Sequence, residues 1–260
     1  MVQQHTARFA FVEWKNAGKT IRGSLLVARR GKTPWFIFSH GFTGHRIGPG
    51  YLFVRMSRDL AEAGFSSLRF DFSGSGESDG VFQEITIATM QSDILSAVRL
   101  VRRRFAPSAV ILCGHSLGGM IASLSCADAK PDGLVLLSPV ADPKGIIRRR
   151  QVIMDAGPNA RGYYENGPHE IATAFLDGLK SVDSVASLIQ GFHGRLLLVQ
   201  GDADDSISVN ESRTYVHAAM KKGIETAYHI LKNADHNYSA VTHFTKICST
   251  VTSWAKERFR

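Results

Sequence analysis

Apolar positions along the chain follow two alternating rhythms. Short apolar or alternating runs at 7–15, 20–28, 35–40, 66–72, 109–114, 133–138, 195–201 and 226–231 have the length and the β-branched or aromatic content of strands. In the first of these, Phe9, Phe11 and Glu13 share one face, and Ala10, Val12 and Trp14 share the other. The first two runs are joined by Asn16-Ala17-Gly18-Lys19, which predicts a hairpin. From the third run onward, strands alternate with helix-length segments at 52–63, 85–105, 116–129, 210–222 and 242–258. The second of these segments repeats Ile87, Met90, Ile94, Leu95, Val98 and Val101 on one helical face. Alternating strands and helices with nearly all-apolar strands predict one α/β domain over 1–260. Its sheet is mostly parallel and eight-stranded, covered by helices on both faces and opened by an antiparallel hairpin.

One stretch breaks the rhythm. About fifty residues separate the sixth strand from the seventh, far more than a usual strand-to-helix connection. The stretch holds Pro143, Gly157-Pro158 and Gly167-Pro168, followed by a helix-compatible run over 171–179. Residues 140–190 are therefore expected to form a small cap at the carboxyl edge of the sheet.

Composition adds little beyond class. At 260 residues, with 44% hydrophobic and 21% charged positions, the chain can bury a large core. Cys113, Cys126 and Cys248 lie in apolar strand or helix patterns and predict reduced, buried thiols. No Cys/His grouping has metal-ligand spacing. The first sixteen residues lack the apolar stretch of a signal peptide, and no run of eighteen apolar residues occurs, so a cytoplasmic protein without a membrane span is expected. The net charge of +8 comes largely from Arg102–Arg104 and Arg148–Arg150. The first triplet closes a helix and complements its dipole. With no aromatic interleaving or binding motif beside it, nucleic acid is not an expected partner. The second triplet falls in the predicted cap. It reads as a solvated lid helix, the alternative being contact with a phosphorylated carrier such as coenzyme A.

The candidate chemistry centres on Gly114-His115-Ser116-Leu117-Gly118. The motif follows an apolar strand and opens a helix, the setting in which a serine is held on a sharp turn as a nucleophile. A serine hydroxyl needs a base, and the base needs a carboxylate to hold its tautomer. The seventh strand ends in Asp202-Ala203-Asp204-Asp205, and the eighth in Asn233-Ala234-Asp235-His236. Chain order is then Ser, Asp, His. His236 is the expected base, His193 and His243 being weaker alternatives. Asp204 is the preferred acid, because apolar Ile207 three residues on would anchor its turn; Asp202 is the fallback. Backbone N–H groups of Leu117 and Phe42 are the expected oxyanion donors, Phe42 lying in the loop His40-Gly41-Phe42-Thr43-Gly44 after the third strand.

With these motifs the chain resembles the α/β-hydrolase superfamily over nearly its full length. The run from Arg69 to Gly80, with His40-Gly41-Phe42-Thr43 and Asn233-Ala234-Asp235-His236, is similar to bacterial cinnamoyl/feruloyl esterases and related carboxylesterases. Ser75 stands where that group commonly has histidine, and Leu117 where it often has glutamine. The resemblance implies hydrolysis of small-molecule carboxylic esters by Ser116, Asp204 and His236, with Phe42 and Leu117 at the oxyanion and no cofactor. A monomer and a homo-oligomer are both compatible with it. Acyl thioesterase and aminopeptidase-like activities use the same triad. A non-catalytic binding module on the scaffold is the remaining alternative.

Overall fold

Strands β1 (Ala7–Asn16) and β2 (Lys19–Ala28) pair antiparallel about Ala17-Gly18, both at positive φ. They belong to a computed structural model that describes residues 7–28, 32–182 and 189–260. Residues 1–6, which begin the leader-free reading, and 183–188, near the end of the expected cap, lie outside the described residues. After the hairpin come β3 (Trp35–Ser39), α1 (Leu52–Glu62), β4 (Ser66–Phe70), α2 (Ile87–Phe105), β5 (Val110–His115), α3 (Leu117–Leu124), α4 (Cys126–Ala129) and β6 (Gly133–Leu137). The eight-stranded sheet is completed by β9 (Arg195–Gly201) and β10 (Thr226–Leu231), in the order β1-β2-β4-β3-β5-β6-β9-β10. Every pair from β4 to β10 is parallel, and β2 meets β4 antiparallel. Strand β5 is therefore central, with β3 and β6 beside it.

Period-two alternation splits the core into two layers. Trp35, Ile37, Leu112, Leu134 and Leu136 pack on one face beneath α2 and α3. Phe36, Phe38, Ile111, Val135 and Leu137 pack on the other, against α1 and the last helix, Val241–Phe259. Each such side chain contributes about 1.5–3 kcal/mol when withdrawn from water. This two-sided burial is what holds the carboxyl edge of the sheet rigid. Cys113, Cys126 and Cys248 are free and buried, and burial raises all three thiol pKa values. Among the described residues, no helix is long and apolar enough to cross a membrane.

Three local expectations are corrected. Helix α2 starts at Ile87 rather than at 85, because Thr86 and Thr89 form a reciprocal capping box. The helix expected over 116–129 divides at Ser125, where the hydroxyls of Ser123 and Ser125 donate back to the carbonyls of Gly119 and Ile121, both at 2.8 Å. Such back-bonding competes with the helical ladder. The helix expected at 171–179 begins at Thr173, because His169–Ile171 forms β8 of a small hairpin with β7 (Tyr164–Asn166). Three-residue strands are too short to show a period in sequence.

The segment between β6 and β9 also carries α5 (Pro143–Arg149), α6 (Gln151–Ala156) and α7 (Thr173–Lys180). Its root is tied to the body by Glu211, whose Oε2 accepts the N–H groups of Ala141 (3.0 Å) and Asp142 (2.9 Å). Phe175, Leu176 and Leu179 of α7 join the core layer under α2.

Candidate active site

Strand β5 ends at His115, and Ser116 turns the chain into α3 with φ 56° and ψ −123°. A β-carbon resists that conformation at a cost of about 1–3 kcal/mol, so the surrounding packing has to enforce it. The packing is close. A β-carbon at Gly118 would stand 2.2 Å from the carbonyl oxygen of Ser39, and one at Gly114 would stand 2.4 Å from that of Gly118. Only glycines let α3 press against β5 and β3 so nearly. On the other side of Ser116, a β-carbon at Gly41 would approach the Ser116 Cβ to 3.2 Å. The loop after β3 therefore passes directly over the serine. Among the described residues, the N–H groups of Phe42 and Leu117 have no acceptor.

Two further loops meet at this edge. After β9, Asp204 Oδ1 accepts the N–H groups of Ser206 (3.0 Å) and Ile207 (2.8 Å), and Ile207 is buried as the turn's anchor. Oδ2 lies 2.8 Å from His236 Nδ1, in the loop after β10. The Asp204 side chain is fully buried, which pushes its pKa up, but hydrogen bonds from His236 and from the Ile207 N–H outweigh that and hold it below the ordinary carboxylate value. Asp202 is placed differently: its Oδ1 accepts the Asn233 N–H at 2.5 Å and so ties the two loops together. Among the described residues, Asp205 bonds only the neighbouring Ser206 hydroxyl, at 3.1 Å. His243 falls inside the last helix.

Ser116, His236, Phe42 and Leu117 line one cavity of about 660 Å³. Among the described residues, no hydrogen bond joins Ser116 Oγ to the His236 ring, a link that commonly tightens only when substrate is bound. The far wall of the cavity is apolar and comes from the inserted segment, through Ile146, Ile147, Ile153, Met154, Phe175 and Leu176.

Sequence reasoning passed over several residues that build this site. Gln200 is the one polar residue in the otherwise apolar run of β9 after Arg195, and its Nε2 donates to Asp204 Oδ2 at 2.9 Å. That break in the apolar run was the available signal. Asp71 is buried and accepts the Arg46 side chain, the Arg46 N–H (2.6 Å) and the Glu77 N–H (3.1 Å), binding together the loops after β3 and β4. His115, inside the serine motif, donates from Nε2 to the carbonyl of His236 at 2.9 Å and so fixes the loop that carries that histidine. His40 donates from Nδ1 to the Gly41 carbonyl (2.9 Å) and accepts the Phe72 N–H at Nε2 (3.2 Å).

Burial lowers His40 from 6.5 to about 4, and burial together with the neighbouring His236 does the same to His115. Both are neutral when folded, and a second proton on His40 would face the Phe72 N–H. The unfolded chain takes up those protons near pH 6.5. Stability is therefore full above about pH 6.5 and is lost as pH falls toward about 4, on the order of 3 kcal/mol per histidine. Urea midpoints measured from pH 7 down to 4.5 are expected to fall steeply, and His115→Gln, which keeps an N–H donor there, to flatten the slope. A flat profile for the unsubstituted protein would contradict the neutral, buried assignment.

A family model described as serine aminopeptidase, S33, matches residues 35–161. The mouse palmitoyl-protein thioesterase ABHD10 (Mus musculus) is 35% identical over 112 residues, 43% of this chain. That match spans only 35% of the mouse protein's length. The fold is similar to ferulic-acid-bound Est1E from Butyrivibrio proteoclasticus, with a TM-score of 0.81 and 22% identity, covering 95% of this chain and 98% of that one. It is also similar to the structure of mouse ABHD10, with a TM-score of 0.74 and 20% identity over 95% and 99% of the two chains.

Proposed function

From its membership in the α/β-hydrolase superfamily, with a resemblance to esterases, we propose that this chain is a serine hydrolase that cleaves carboxylic esters of small molecules through an acyl-enzyme. The observation that carries this reading is Ser116 at a left-handed φ on the cavity wall it shares with His236, whose Nδ1 is held by buried Asp204. Asp204 keeps the proton of His236 on Nδ1, leaving Nε2 free to accept one. Nε2 takes the Ser116 proton as Oγ attacks the ester carbonyl. The oxyanion is met by the N–H groups of Phe42 and Leu117. The tetrahedral intermediate collapses, the alcohol leaves with the proton from His236, and water repeats the sequence on the acyl-enzyme. The segment expected at 140–190 acts as the cap over this centre, and its residues between 140 and 179 supply the apolar wall that receives the acyl chain.

The thioester reading has its own support in the similarity to a palmitoyl-protein thioesterase. The deciding measurement is kcat/KM on p-nitrophenyl esters of rising chain length, methyl ferulate, an acyl-CoA and an aminoacyl anilide, with a fluorophosphonate probe to label Ser116. We expect labelling, and ester turnover above the anilide. Turnover of the thioester alone would replace the esterase with a thioesterase. No labelling and no turnover would leave a non-catalytic scaffold.

A further inference from the structure

The three consecutive arginines of the inserted segment meet three different fates. Arg148 pairs with Asp142 at the surface, and Arg149 reaches Glu211 Oε1 at 3.4 Å. Arg150 is half-buried, lines the cavity, and has no carboxylate partner among the described residues. Its guanidinium instead lies 5.6 Å from the centroid of the Phe42 ring, which also stacks on Phe175 at 5.3 Å. Phe42 lies in the loop whose Gly41 passes over Ser116, and Arg150 lines the same cavity as Ser116 and His236, so the cation belongs to the wall of the cavity that holds the candidate nucleophile. Burial, and then the adjacent Arg149, lower its pKa, yet a guanidinium remains charged at any working pH.

A half-withdrawn cation without a counterion is unfavourable, and a ring face compensates it only partly. Among the described residues that line the cavity there is no Asp or Glu, and Arg149 and Arg150 are its only Arg or Lys side chains. The rest of the wall joins the aliphatic and aromatic side chains of the inserted segment to polar ones, among them Thr43, Asn166, Ser206 and Asn237. A cavity that holds Ser116, has an apolar far wall and carries a cationic edge from Arg149 and Arg150 fits a substrate that joins an apolar acyl chain to an anionic oxygen group.

We propose that Arg150 is a specificity-determining residue that binds a carboxylate or phosphate carried by the ester or thioester substrate. This rests on the hydrolase reading above, and the two are tested separately. One matched pair puts a carboxylate on the acyl chain: the p-nitrophenyl ester of hexanoic acid against the mono-p-nitrophenyl ester of adipic acid. A second puts phosphates on the leaving group: hexanoyl-CoA against the S-hexanoyl thioester of N-acetylcysteamine. In at least one pair, Arg150→Gln is expected to cut the charged-over-neutral ratio of kcat/KM by about tenfold to a hundredfold, the usual scale for a charge-assisted hydrogen bond in a desolvated site. The neutral partner stays within threefold, Arg150→Lys retains part of the ratio, and added salt lowers it. Loss in the first pair identifies a carboxylate, and loss in the second a phosphate. An unchanged ratio in both overturns the assignment while ester hydrolysis stands. If the unsubstituted protein turns over none of the four, nor any ester or thioester of the wider panel, and Ser116 takes no fluorophosphonate label, the hydrolase reading fails. The anion site is then decided by calorimetry with uncleaved hexanoyl-CoA and the adipate ester: tighter binding to the unsubstituted protein than to the Arg150→Gln variant supports it, and equal binding overturns it.

Discussion

Replacing Ser116 with alanine is expected to lower ester turnover by about a million-fold while leaving the protein folded. The loss follows from the division of labour at the elbow: without Oγ there is no acyl-enzyme, and binding plus the two N–H donors supply only residual acceleration. His236→Ala should cost about as much, and the double variant no more than either single one, because the pair acts as a unit. Stability separates the chemical role from a packing role. Ser116 sits at φ 56°, a conformation alanine tolerates no better than serine. Ser116→Gly, equally inactive, should unfold later than Ser116→Ala by about 1 kcal/mol, because glycine accepts a positive φ without a β-carbon penalty. Turnover of p-nitrophenyl esters, and urea midpoints for both variants, check these outcomes. Hydrolysis by Ser116→Ala at the unsubstituted rate would remove the nucleophile assignment.

The second large effect is expected from Asp204→Asn, about ten-thousandfold in turnover with little change in KM. Asparagine fits the space, and its Oδ1 still accepts the Ser206 and Ile207 N–H groups. Its NH₂ then replaces Oδ2 and meets two donors, Gln200 Nε2 and His236 Nδ1–H. The imidazole relieves that clash by moving its proton to Nε2, the nitrogen that has to accept from Ser116. Asp202→Asn and Asp205→Asn are the controls. Asparagine at 202 can still accept the Asn233 N–H, so a loss below about tenfold is expected, and Asp205, exposed beside Ser206, should stay within about twofold. Equal losses in all three would leave Asp204 without a special role.

The alternation of strands and helices was legible because each apolar period is a local property, repeated over five to twenty residues. The hairpin turn, the eight strands and the facing residues of α2 all follow from it. Where expectation and structure part, the cause is a side chain whose local hydrogen bond overrides the period, as with the Thr86–Thr89 cap and the back-bonding serines before Cys126. The hairpin of β7 and β8 escaped because three residues carry no period at all. In the site, the glycines around Ser116 were readable from the motif, since a turn that tight admits no β-carbon.

By itself, then, the sequence determined the layered α/β architecture and the strand–serine–helix turn, and it preferred Asp204, with Asp202 as fallback, as the partner of His236. The tertiary structure supplies the contact itself, Asp204 Oδ2 to His236 Nδ1, and sets Asp202 apart on the Asn233 N–H. Side chains in the loops after β9 and β10 are aimed by contacts across thirty or more residues, such as Asn233 to Asp202 and His236 to Asp204, and no periodicity reports those directions. The same holds for the arginines. Three identical neighbours in sequence become a surface ion pair, a tether to Glu211 and a cation over Phe42 with no carboxylate partner among the described residues, because successive residues at the junction of α5 and α6 point different ways.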